Sequence, residues 1–316
     1  MTVRVYRSSD PGAPALRGYT PGDMINLLNK CLVTGYGSQA GAGWTMPFTG
    51  TNLAAFKQGA GNGYYLRVDD TDATASGARS TNCVGYEAMT DVNTGTPNPF
   101  PTVAQMGAKG MRMYTYYNGT AANARPWKMV ATEKWFMLFW RTQDTANMTA
   151  RGTDTGVFVF GDFTSFKAGD ISNCVILGDV GNAGASNCFN PMYFGTIAAQ
   201  GVVGYSNRNY DLVSGSTPVG LLTDFGKHPL NYPGTGGMPY PNPTDGGLYL
   251  APVWVQAGNV LRGVMPGVWV PCHNVSTTFA PGDVFAGSGP LAGKSFEAFC
   301  NYSGNSTWFM EMSNTW

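Results

Sequence analysis

Trp127-Lys128-Met129-Val130 and Trp135-Phe136-Met137-Leu138-Phe139-Trp140 decide how this chain is read. Each is a short run of aromatic and aliphatic residues, of strand rather than helix length. The second is the longest purely apolar run, six residues, against the roughly 20 that a membrane-spanning helix requires. Working outward, the same kind of run recurs at Tyr64 to Val68, Met113 to Tyr117, Val157 to Phe160 and Cys174 to Leu177, bounded by Gly, Asn, Asp or Pro. A second cluster lies at Leu248 to Val255, Val268 to Val270, Ser295 to Asn301 and Trp308 to Met312. The expectation is a mainly β fold, a sandwich or distorted barrel, with long Gly/Pro-rich loops and a β-rich C-terminal part.

One segment reads as an amphipathic helix. Thr20 is placed to cap it, Pro21 suits a first position that needs no N–H, and the Asp23 carboxylate can reach back to the cap. Met24, Leu27, Leu28 and Cys31 then recur at i, i+3, i+4 and i+7, and Gly35 is positioned to end the helix. Such a stripe is what a helix covering a sheet needs.

Residues 227–247 interleave Pro229, Pro233, Pro239, Pro241 and Pro243 with five glycines. Proline cannot donate to a ladder, so Pro239 to Pro243 is expected to be extended and polyproline-like, with Tyr232 and Tyr240 as anchors. The chain divides on this basis into a β-rich region with the N-terminal helix (1–200), an arm or linker (201–247) and a C-terminal β region (248–316) that either stands alone or belongs with the first. Tyr232, Pro239, Tyr240, Pro241, Pro243, Trp254 and Trp269 are the candidate interaction residues, and Trp127, Trp135 and Trp140 are further tryptophans that either face a partner or fill the core.

The composition favours contact over catalysis. There are 43 Gly, 20 Pro, 17 Phe, 16 Tyr and 8 Trp, but only two His, and 19 basic residues balance 19 acidic ones. With no basic excess there is no footprint for nucleic acid. The first ten residues hold Arg4 and Arg7 and no apolar stretch, so no secretory signal is expected there. The six cysteines form no C-x-x-C, which suggests reduced thiols, with Cys174 and Cys188 as the nearest pair for a disulfide.

Each chemical motif fails on its own terms. Cys272 and His273 are adjacent, so on an extended chain they point to opposite faces; His228 precedes a proline. Gly289 to Ser295 resembles a phosphate loop, but Ser288 stands where its first glycine is needed and Pro290 removes an amide. Asp69, Asp70 and Asp72 lack the glycine and distal glutamate of a calcium loop, and read as turn residues. Asp162 and Asp170 flank a loop and could mimic a glycosidase pair, although turn-forming is again the simpler reading. No enzyme, cofactor or metal is expected.

With these residues in view, the chain resembles a group of tailed-bacteriophage virion structural proteins. The resemblance rests on Val33-Thr34-Gly35-Tyr36-Gly37-Ser38, Gly43 to Asn52, Tyr64 to Asp70, Gly85 to Val92, Phe160 to Phe163 and Leu261 to Trp269. It implies a virion protein made and assembled in the host cytoplasm, of the tail or baseplate, that touches other virion proteins and copies of itself in a symmetric assembly, with no membrane insertion. A head accessory or decoration protein, or a receptor- or glycan-binding module of the tail, is the alternative.

Overall fold

The computed structural model describes residues 2–73, 79–114, 122–142, 148, 155–179, 202–213, 215–222, 240–258, 260–273, 275, 278–301 and 306–313. The strands of the first half are β1 (Arg4–Arg7), β2 (Thr45–Gly50), β3 (Leu53–Lys57), β4 (Tyr65–Asp69), β5 (Ser80–Tyr86), β6 (Ala88–Asp91), β7 (Thr94–Thr96), β8 (Met111–Tyr114), β9 (Trp127–Ala131) and β10 (Trp135–Arg141). Those of the second half are β11 (Thr155–Asp162), β12 (Thr164–Ser165), β13 (Cys174–Asp179), β14 (Val202–Ser206), β15 (Thr217–Leu222), β16 (Leu250–Ala257), β17 (Val260–Pro271), β18 (Val284–Ala286), β19 (Ser295–Asn301) and β20 (Ser306–Glu311). The helix α1 (Asp23–Leu28) runs on as a π-helix over Asn29–Thr34, and α2 (Val103–Met106) is one turn. The fold is mainly β.

The ladders are antiparallel. One path runs β1-β9-β10-β11-β13-β14-β15-β16-β17-β20-β19-β18, and β2-β3-β4-β5-β8 branches from β13. The path rolls on itself far enough that β12, the continuation of β11, pairs with β17 through Thr164↔Val264 and Ser165↔Gly263.

The opening stretch owes its unbroken apolarity to its place between two cores. Phe136, Leu138 and Trp140 face a core shared with α1, β3, β4, β5 and β8, whereas Trp135, Met137 and Phe139 face a second one shared with β15, β16, β17, β19 and β20. All seven residues of β10 are buried, and a strand covered on both faces cannot alternate with polar residues. Strands β9, β11 and β13 divide their side chains between the two cores in the same way. By contrast β16 alternates half-buried and buried positions along its whole length. Each fully buried Phe or Leu here is worth roughly 1.5–3 kcal/mol.

Glycine and aromatic content turn out to be one feature. A Cβ on Gly156 would strike the Trp140 ring on the paired strand, and one on Gly85 would strike the Phe100 ring, whose residue exchanges both backbone hydrogen bonds with Gly85. The rings occupy the space a side chain would need, a packing only glycine permits.

Helix α1 buries the expected stripe, with Met24, Leu27, Leu28 and Cys31 inaccessible to solvent, and Gly35 (φ 79°) ends the helical run. Its capping differs from expectation. Neither Thr20 nor Asp23 caps it: Gly22 is the cap residue, and the Asp23 carboxylate binds Arg17 instead, at 2.9 Å. The cap arrives from 46 residues away, where Asp70 Oδ2 accepts from the Gly22 and Met24 N–H groups at 2.7 and 3.1 Å. Its other oxygen accepts from Arg79 and from the Thr81 hydroxyl, each at 2.6 Å. Asp70 is therefore a buried cap and ion-pair partner, while Asp69, its neighbour, makes the expected local turn with Thr71.

The expected arm over 201–247 needs revision. Its first part supplies β14 and β15, which sit inside the sheet between β13 and β16 and join the N- and C-terminal strand clusters into one hydrogen-bonded path. Val202, Val203, Val219, Leu221 and Leu222 give these strands ordinary β character, which the surrounding glycines obscure in the sequence. Residues 223–239, with Tyr232 and Pro239, lie outside the described residues. Asn242 to Gly247 forms a turn rather than a polyproline run, closed by Gly246 N–H to Asn242 O at 2.7 Å and by the Asp245 carboxylate, which accepts from Asn242, the Gly247 N–H and the Tyr249 hydroxyl.

Candidate contact surface

Three connections meet at one end of the roll, and Arg262 joins them. It sits near the start of β17, and the following Gly263 pairs with Ser165 of β12. Its guanidinium is buried, 3% exposed, and its partner Asp170 is 1% exposed. One terminal nitrogen donates to Asp170 Oδ2 at 2.8 Å and to the Ser172 carbonyl at 3.0 Å; the other reaches the Arg208 carbonyl at 3.2 Å. The Arg262 Cζ lies 5.5 Å from the Phe163 ring centroid. One side chain thus fixes the 163–173 loop, the 207–213 loop and the β16–β17 hairpin together.

Asp170 also accepts from the Ser165 hydroxyl at 2.7 Å and the Ser172 N–H at 2.8 Å. Burial acts to raise this carboxyl, but the donors from Arg262, Ser165 and Ser172 outweigh it and hold it below its ordinary value. The 207–213 loop has a second tie, a two-point pairing of Arg208 with Glu87 at 2.6 and 2.8 Å. Asn207 adds a bond to the same carboxylate at 3.1 Å.

What these tied loops display is apolar. Phe166 is 59% exposed, Ile171 63%, Val213 85% and Tyr210 48%, and Val260 and Leu261 of the adjoining hairpin are open as well. Exposed apolar side chains on two loops that one buried arginine ties together are the usual make-up of a recognition surface.

Beside this end lies a groove of about 470 Å³ whose walls include both Asp162 and Asp170. The structure therefore brings the two carboxylates to one place. Their oxygens are already engaged, however. Asp162 takes Gln58 Nε2 and the Asn62 N–H, both at 2.9 Å, and pins the turn before β4 to the end of β11. Burial raises its pKa, partly offset by those bonds. Asp170 makes the local turn bond the sequence suggested, to the Ser172 N–H, whereas Asp162 ties segments about 100 residues apart rather than forming a turn.

The sequence-derived interaction residues fall elsewhere. Tyr240 packs on Phe279 and on His273, with ring centroids 5.7 and 5.9 Å apart, and belongs to a third apolar cluster. Pro241 and Pro243 are exposed on the Asn242 turn. Trp254 and Trp269 are half-buried: Trp254 packs on the second core, and Trp269 donates to Glu311 at 3.2 Å beneath the Lys294 ammonium. Trp127, Trp135 and Trp140 are core residues, at most 2% exposed. His273 lies buried between Tyr240 and Tyr249, and the phosphate-loop lookalike is a 3-10 turn leading into β19, with Lys294 bound to Glu311. Cys174 is a buried free thiol; Cys188 lies outside the described residues.

Arg262, Phe166, Ile171 and Val213 were not legible as functional residues. The available signal was the pair of apolar residues, Phe166 and Ile171, in a segment otherwise read as a turn. No protein-family model and no curated protein matches this chain.

Proposed function

We propose that this chain is a structural protein of a tailed-phage particle, in the tail or baseplate, which holds its neighbours and copies of itself through protein–protein contact. The observation that carries the contact role is the exposure of Phe166, Ile171, Tyr210 and Val213 on loops locked by the Arg262–Asp170 pair. Pre-ordered loops lose little entropy on docking, so their apolar tips can be spent on affinity. The assignment to a particle rests on the sequence resemblance.

The test is a chain carrying Phe166→Ser, Ile171→Ser and Val213→Ser. These side chains are exposed, so the purified variant should keep the wild-type circular dichroism and thermal midpoint, while its incorporation into particles falls by on the order of tenfold or more. Normal incorporation of a normally folded variant would overturn the contact role. The position of the chain in a cryo-EM map of the particle separates tail or baseplate from head.

A further inference from the structure

A second cavity, at a different place in the roll, has the make-up of a ligand site. It measures about 280 Å³ and lies where β1, β9 and β10 face β19. Its charged groups include Arg7, Lys128 and Glu297, and its apolar wall is Phe139 stacked on Phe299 with centroids 4.5 Å apart. Lys128 is 5% exposed and Glu297 8%. The Lys128 ammonium pairs with Glu297 Oε1 and sits 4.4 Å from the Phe299 centroid. Arg7 is 42% exposed at the mouth and reaches the other oxygen of the same carboxylate at 2.9 Å. Ser9 and Gly282, also on the rim, are open to solvent.

Arg7 and Lys128 share the single carboxylate of Glu297, and Arg141 lines the same cavity, beside a wall of two stacked aromatic rings. Burial pushes the Lys128 amine down to about 8 even against the pull of Glu297. The elements are fixed by ladder pairing: Lys128 is in register with Arg7 on one side and Phe139 on the other, and Glu297 is held between β18 and β20. A cavity of this volume corresponds to roughly nine waters, the bulk of a carboxylic acid with one or two rings. Apolar walls with a few fixed polar groups are the usual composition of a small-molecule site.

We propose that this cavity binds a small organic carboxylate with a flat apolar body, its carboxylate received by Lys128 and Arg7 and its ring by Phe139 and Phe299. The competing reading is a purely structural ion cluster that ties β9 to β19. The two are told apart by titrating the full-length protein with 2-naphthoate and with neutral 2-naphthamide, and by mapping Lys128 acetylation by mass spectrometry with each present. Site binding gives saturable 2-naphthoate binding that protects Lys128, with the amide weaker by about tenfold or more, as expected for loss of a charge-assisted contact. Lys128→Met should then abolish the preference for the acid. Equal binding of acid and amide, no saturable binding, or binding that leaves Lys128 unprotected would each overturn the proposal. The protection measurement uses wild-type protein alone, and so decides the matter even if Lys128→Met does not fold.

Discussion

Replacing Arg262 with methionine tests the physical basis of the contact surface. Methionine keeps most of the side-chain volume but leaves Asp170 without its cation, and it removes the donors to the Ser172 and Arg208 carbonyls. Breaking a buried pair by deleting one partner costs about 3–5 kcal/mol. Asp170 keeps two hydrogen bonds, from Ser165 and Ser172, which places the expected loss near the lower end, about 3 kcal/mol. Asp170→Asn alone should also destabilise, and the double variant should lose less than the sum, with a coupling of about 1–3 kcal/mol. Urea unfolding of the four proteins gives the cycle, and hydrogen exchange locates the loss, which should appear at 163–173 and 207–213 before the two cores. A loss under about 1 kcal/mol for Arg262→Met, or a coupling below about 0.5 kcal/mol, would refute the claim that this pair locks the loops.

Gly156→Ala should destabilise by about 1–3 kcal/mol, because the added methyl meets the Trp140 ring in a strand buried on both faces; a urea midpoint equal to wild type would contradict that packing. For Lys128 the folded amine titrates near 8 against an ordinary value of 10.5, so between these values the unfolded chain binds more protons and the contribution of Lys128 to stability rises with pH. Arg7, Arg141 and Glu297 are the other charged groups lining the same cavity. The stability of wild type relative to Lys128→Met should therefore increase between pH 8 and pH 10.5, by at most about 3 kcal/mol, and a flat or falling difference in urea midpoints would count against the buried amine. Burial pushes the Cys31, Cys83 and Cys174 thiols up, so brief alkylation of native protein at pH 8 should leave these three unlabelled and label them only in denaturant; early labelling of any would disprove its burial.

Local pattern was enough for strands such as β11 and β19 and for the face of α1. Runs such as Val157 to Phe160 and Ser295 to Asn301 carry their conformation in side-chain shape, and Met24, Leu27, Leu28 and Cys31 carry theirs in spacing. Those are properties of neighbours in the chain. The misplaced features all depended on distant ones. The α1 cap comes from Asp70, and β14 and β15 became sheet rather than arm because β13 and β16 were there to pair with them. The candidate site shows the same division, since Phe166 and Val213 are ordinary apolar residues until burial is apportioned in three dimensions.

The sequence by itself determined a mainly β chain, rich in glycine and aromatic residues and without a recognisable catalytic motif, because composition and short-range periodicity act locally. Only the tertiary structure decided that β10 lies between two cores, that Arg262 and Asp170 close three connections into one surface, and that Lys128 meets Glu297 in a cavity. Each depends on residues tens to hundreds of positions apart, whose charge or apolar surface acquires an energy only when folding removes the water between them.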